Sequence, residues 1–479
     1  MKTDIAALSA VQLAQAYAAR SLSPVEVTQA LLAQMQAWEP HIAATWNVQA
    51  YVADEALAQA RASAVRWQRG ESLGLLDGVP VTIKENIATR GVPMPLGTAA
   101  STLVPATADA PPSARLREAG AVFLARTTMP DYGMLSSGLS SFHTLSRNPW
   151  DVRKTPGGSS AGAGAAAAAG YGPIHLGTDI GGSIRLPATW CGVVGFKPSD
   201  GRVPIFPPYL GRAAGPLSRT VGDAALAMSV LSRPDARDAT SLPPNDLPWL
   251  QVLDDAHTEP TSVLRGLKIG LLLDAGWGLP LHPEVRAAIE QAAAWLTDAG
   301  AHIQPLAGFT TPEMAEGIET FWRTRSGLDI GKLPPERQAL VLPYIRDWVA
   351  PAAGYTAAQV FEGYSQFAAL RDAAVAACQP FDFVISPVAP DVAGAAEAPS
   401  PSGDPRRAMV HIAYTLPFNV SGQPALSVPC AHDRAGLPIG LQIIGRRHDD
   451  LGVLRLARAF ERLRPAGALR PWPTTPGIA

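Results

Sequence analysis

Short apolar runs bounded by glycine and proline recur along this chain, with helix-like stretches between them. GVPVTI (78–83), GAVFL (120–124) and IHLG (174–177) read as strands, and 112–117 and 161–169 as helices. Strands that alternate with helices cannot pair as hairpins. They call for crossover connections and a sheet buried on both faces. The expectation is an α/β fold: one large α/β/α domain with a mixed, largely parallel central sheet covered by helices. Later runs at 267–273, 381–386 and 425–428 add strands, and 283–299 adds a helix. Ser23-Pro24-Val25-Glu26 is a capping box, and Val27, Leu31 and Met35 then form one apolar stripe.

The chain of 479 residues is therefore divided as follows: N-terminal scaffold helices over about 1–70, core over about 74–230 and 375–465, and a helical insertion over about 280–375. The insertion carries Trp322, Tyr344, Trp348 and Tyr355. The proline- and acid-rich stretch 233–262 reads as a surface excursion, and no internal repeat is found.

Composition removes several classes of function. Hydrophobic residues make up 47% and charged residues 17%, which is globular and not disordered. Net charge is −2 without a basic block, so nucleic acid is not an expected partner. Cys191, Cys378 and Cys430 are too dispersed for a disulfide framework or a zinc site. The nine histidines show no HxxxH or HExxH spacing, so no metal is expected. No phosphate loop occurs, and no cofactor is expected. The N-terminus, with an acid at Asp4, is not expected to be a signal peptide, and no apolar run reaches the ~18 residues of a membrane span. A cytoplasmic protein is the expectation.

The chemistry concentrates in two loops. TPGGSSAGAG (155–164) sets Ser159 and Ser160 between glycines, but a serine hydroxyl attacks only when a base takes its proton. No histidine lies near in sequence. Of 39 basic residues only six are lysine, so 33 are arginine and each lysine merits attention. Lys84 ends the apolar run VPVTIK, where desolvation lowers a lysine pKa and lets it act as a base. The alternative reading has Lys84 reaching solvent or pairing with Glu85. The second loop, GTDIGGSIR (177–185), places Gly181-Gly182 directly before Ser183. Successive residues without bulky side chains let several backbone N–H groups converge, as an oxyanion hole requires.

These segments together resemble the amidase signature family. DGVPVTIKENI (77–87), TPGGSSAGAGAAAAAG (155–170), LGTDIGGSIRLPATWCGVVGFKPS (176–199), GPLSRTVGDAA (215–225), PFNVSGQPALSVP (417–429) and GLPIGLQIIG (436–445) are similar to its blocks, in the same order. The resemblance implies Ser183 as the acyl-forming nucleophile, Ser159 behind a cis Gly158–Ser159 bond as relay, and Lys84 as base. It implies an oxyanion hole from the N–H groups of Ile180, Gly181, Gly182 and Ser183. Ser160 and Arg185 take structural places, Arg185 beside Asp179. Ala161 and Asp200 depart from the family's usual residues without touching a catalytic role.

The implied reaction is serine acyl transfer on amides. The segment 127–150 and the insertion are expected to wall the substrate site. Tyr132, Met134 and Leu135, with Phe142 and Trp150, suit a neutral apolar or aromatic small-molecule amide. Carbamate, urea-like or ester substrates are the nearest alternative. A further one is the glutaminase component of a tRNA-dependent amidotransferase, which works inside an obligate complex. A homodimer is left open.

Overall fold

The computed structural model describes residues 4–46, 53–254 and 259–474. Part of the excursion at 233–262, and residues 1–3 and 47–52 of the N-terminal reading, lie outside these. Ser23 caps the helix Pro24–Ile42 with a complete capping box to Glu26, and Val27, Leu31 and Met35 are buried as their spacing requires.

Among the described residues eleven strands form one sheet: β1 Thr45–Trp46, β2 Pro80–Lys84, β3 Val122–Thr127, β4 Ile174–Asp179, β5 Val194–Lys197, β6 Ala213–Ser218, β7 Lys268–Leu271, β8 His302–Pro305, β9 Phe383–Pro387, β10 Ala425–His432 and β11 Pro438–Gly445. Their spatial order is β1-β3-β2-β4-β6-β5-β10-β11-β9-β7-β8. Parallel pairing joins β3-β2-β4 on one flank and β9-β7-β8 on the other. Between these flanks β4-β6-β5-β10-β11-β9 pair antiparallel, as does the edge strand β1. The sheet is thus mixed and helix-covered as expected, with its parallel ladders concentrated in the two flanks.

Alternate residues of β3 show the layering. Phe123 joins a cluster packed under the helices Val221–Leu231, Pro283–Asp298 and Asp450–Leu463, whereas Val122 and Leu124 join one under Pro24–Ile42. The helix Ala161–Ala168 is buried at every position, which its alanines and glycines permit by keeping it thin. The region read as a helical insertion contains one strand, β8, which extends the sheet beyond β7. From Pro312 onward it is helical: Pro312–Gly331 and Ala357–Cys378 lie against each other through Phe321, Trp322 and Phe367.

Candidate active site

β2 and β4 are parallel neighbours, in register at Ile83 and Leu176, so their C-terminal ends open at the same place. Loops at such ends are where open α/β sheets build their sites. β2 delivers Lys84 there, and the turn after β4 delivers Ser183. The Lys84 ammonium end is fully buried and makes three side-chain hydrogen bonds, to Ser159 Oγ (2.8 Å), Ser160 Oγ (3.1 Å) and Thr178 Oγ1 (3.1 Å). The alternative partner of Lys84 is occupied elsewhere, because Glu85 Oε2 bonds His143 Nε2 at 2.8 Å. Burial drives the Lys84 pKa well below its ordinary value, and the Arg212 charge adds to this, outweighing Asp179 and Glu85. Lysine in this setting sheds its proton readily and can serve as a base.

Ser159 follows a cis peptide bond from Gly158. Gly158 has no room for a side chain, since a Cβ would come 2.6 Å from Ser137 N and 2.8 Å from Leu135 O. Ser160 opens the helix Ala161–Ala168 and holds the two loops together. Its hydroxyl donates to Thr178 O (3.1 Å) and accepts from Thr178 N–H (3.2 Å), and its own N–H donates to Ser183 O (3.1 Å). The nucleophile candidate thus lies against the loop that carries Ser159, and it is half-buried where Ser159 is buried.

The Gly181–Gly182 turn is organised by Asp179, with Gly182 at φ +120°. Asp179 accepts the Gly182 N–H (2.7 Å) and the Ile184 N–H (3.1 Å), and pairs with Arg185 through Nη2 (2.9 Å) and Nε (3.0 Å). Both charged groups are completely buried. Burial alone would raise the Asp179 carboxyl, but the Arg185 guanidinium overrides it and holds it far below the usual carboxylate range. One expected oxyanion donor is therefore corrected: the Gly182 N–H is turned inward onto Asp179. Ile180, Gly181 and Ser183 remain partly exposed, and they line the cavity.

That cavity, about 630 Å³ with its open mouth included, is bounded by Ser183, Ile180 and Gly181 at its floor and by Tyr132, Met134 and Leu135 on one wall. Of the residues the sequence proposed for contact with substrate, Gly182, Phe142 and Trp150 do not line the cavity. Phe142 packs edge-on against Trp46 and His143, and Trp150 donates its indole N–H to Cys191 O (2.8 Å). The opposite wall comes from Trp322, Arg325, Trp348, Met409 and Ile412, with Tyr209 from the loop before β6. The insertion was expected to supply a wall and does so through Trp322 and Trp348. Tyr209, Met409 and Ile412 carry no sequence signal, since long-range packing alone brings them to Ser183. Among the described residues, no group of three or more His, Cys, Asp or Glu is placed to hold a metal ion. No helix among them is long and apolar enough to cross a membrane.

A family model for amidases matches residues 26–454. The chain belongs to the amidase family. Family membership agrees with similarity over nearly the whole length. The A component of the glutamyl-tRNA(Gln) amidotransferase of Myxococcus xanthus is 35% identical over 95% of this chain and 97% of its own. The same component from Cyanothece sp. is 32% identical with the same coverage. Among solved structures, a bacterial aryl acylamidase of the amidase signature family superposes with a TM-score of 0.85 at 29% identity, covering 96% of both chains. A peptide amidase bound to the competitive inhibitor chymostatin gives a TM-score of 0.81 at 25% identity, covering 96% of this chain and 98% of its own. Amidase signature enzymes are hydrolases and amidotransferases acting on C–N bonds, and this member carries the amidase fold in full.

Proposed function

We propose that this amidase hydrolyses small-molecule amides with an apolar or aromatic group through an acyl-enzyme on Ser183. The observation that carries this reading is the buried Lys84 Nζ, 2.8 Å from Ser159 Oγ with its neighbouring carboxylates engaged by other groups. Neutral Lys84 takes a proton from Ser159, and Ser159 takes one from Ser183. The Ser183 oxygen bonds to the amide carbon, and the N–H groups of Ile180, Gly181 and Ser183 stabilise the oxygen that gains charge. The C–N bond breaks as the proton returns along the same path to the leaving amine. Water then enters by the reverse relay, releasing the acid and restoring Ser183. The aromatic walls suit an aryl group on either side of the scissile bond, and carbamates and esters present the same carbonyl to Ser183.

The relatives' name supports a second reading, as the glutaminase component of an amidotransferase. The cavity argues against it, because its lining offers one guanidinium and no carboxylate to balance the ammonium group of a free amino acid. One experiment separates them: the purified chain is given p-nitroanilides, aryl carbamates and glutamine. Anilide or carbamate hydrolysis by the lone chain, lost by orders of magnitude in a folded Ser183→Ala variant, is expected. Glutamine hydrolysis only with added partner proteins would replace the proposal, and a Ser183→Ala variant with wild-type turnover would overturn the mechanism.

A further inference from the structure

The cavity wall opposite Tyr132 holds one charge among aromatic and aliphatic groups. The Arg325 guanidinium lies over the Tyr209 ring, 4.0 Å from its centroid, so the ring holds it beside the cavity. Its acidic neighbour, Asp329, stands 3.9 Å away one helical turn on, and both are about half exposed (46% and 49%). That pair is weak in water. Arg212, three residues after Tyr209, forms no salt bridge among the described residues and holds the Asn86 carbonyl only at 3.4 Å. Arg325 adds to the cost of its charge, after burial. The two guanidinium groups thus feel one another, and the cavity lining, to which Arg325 belongs and Arg212 does not, contains no carboxylate.

We infer that Arg325 reads a carboxylate carried by the substrate away from the scissile bond. The preferred substrates are then amides whose acyl or aryl part ends in an anionic group. A planar guanidinium held by a ring takes a carboxylate through two parallel hydrogen bonds, which an apolar wall cannot offer. Arg212 lends a second positive charge behind it. This inference rests on the amide hydrolysis proposed above and narrows its substrate class to those amides whose apolar or aromatic part also carries an anionic group.

The test compares two p-nitroanilides of similar size and shape, one of succinic acid with its second carboxylate free and one of pentanoic acid, in the wild-type chain, Arg325→Gln and Arg325→Lys. The expected result is a kcat/KM for the succinyl compound at least about tenfold above the neutral one in the wild type. The preference should lie in KM, weaken with salt, collapse in Arg325→Gln and return in part in Arg325→Lys. Equal kcat/KM for the two compounds in the wild type, or a preference that survives Arg325→Gln, would overturn the inference while leaving amide hydrolysis standing. Failure of the wild type to cleave either compound, or any amide or carbamate of the wider panel, would overturn both.

Discussion

Among the described residues two lysines are wholly buried, and they end neighbouring regions of one sheet. Lys84 closes β2 and Lys197 closes β5. Burial lowers both: Lys197 to about 8, with Arg185 adding to the effect, and Lys84 well below its ordinary value. Their surroundings differ. Lys84 meets three hydroxyls and touches a cavity loop, whereas Lys197 donates to the Pro198 carbonyl (2.9 Å) with Asp179, Asp200 and Asp450 in its field. A depressed lysine is therefore not in itself a catalytic signature. What fits Lys84 for the proposed role of base is a hydroxyl that can hand it a proton, while Lys197 faces a carbonyl, which has none to give.

The largest expected effect breaks this contrast at its centre. Lys84→Met should lower kcat/KM by roughly 10²–10⁴-fold, the usual contribution of a positioned base, while Lys197→Met should lower it by less than about tenfold at equal folded fraction. Steady-state rates with circular dichroism as the folding control check both. Comparable losses in the two variants would dissolve the distinction.

Asp179 lies in the field of both lysines and sharpens the comparison. Asp179→Asn frees the Gly182 turn and leaves Arg185 without its counter-charge, so kcat should fall by about 10²-fold, near the loss of one oxyanion donor, and stability by about 3–5 kcal/mol. The pH profile separates this from simple unfolding. Wild-type kcat/KM should rise with pH as Lys84 loses its proton, reaching its plateau below the ordinary lysine value. Without the Asp179 charge, which favours protonated Lys84, that rise should move to lower pH. In Lys84→Arg the rate should be low and lack the rise, because arginine stays charged.

A smaller effect concerns stability alone. Lys197 titrates at about 8 in the folded chain and near 10.5 when unfolded. Between these values the unfolded chain binds the extra proton, so stability rises with pH across that window, and below about 8 the full penalty of the buried charge is present. The wild type should therefore gain of order 3 kcal/mol relative to Lys197→Met between pH 8 and 10.5, read by urea unfolding at several pH values. The smallest effect is expected at Ser160. Ser160→Ala removes the hydroxyl that ties its loop to Thr178, which should cost about 1–3 kcal/mol and lower kcat by less than Ser159→Ala does.

How legible this was in the sequence depended on how local each cause is. Lys84, the paired serines and the Gly181-Gly182-Ser183 turn are written in contiguous stretches, because glycine and a strand end impose their geometry on neighbours. The early strands β2, β3 and β4 were legible for the same reason. β6 was not, because Ala213-Ala214-Gly215-Pro216 has no β-branched residue and its place between β4 and β5 is dictated by tertiary packing. The antiparallel centre of the sheet follows from such strands, whose direction no local pattern encodes. Phe142 and Trp150 sit in the right stretch but turn away from the cavity, because an aromatic side chain reads alike whether it lines a site or packs a core.

Arg185 also reaches far along the chain. Beyond Asp179, it donates to Thr415 O (3.0 Å), to Asn419 Oδ1 (2.5 Å) and to Gln442 Oε1 in β11 (2.7 Å). The turn presenting Ser183 is thus clamped by residues made more than two hundred positions later. Lys84, Ser159 and Ser183, the three side chains of the proposed relay, all precede these struts in the chain, so a nascent chain that already carries them still lacks what shapes the turn. The shape of the Ser183 turn therefore arrives only when Thr415, Asn419 and Gln442 have joined the fold.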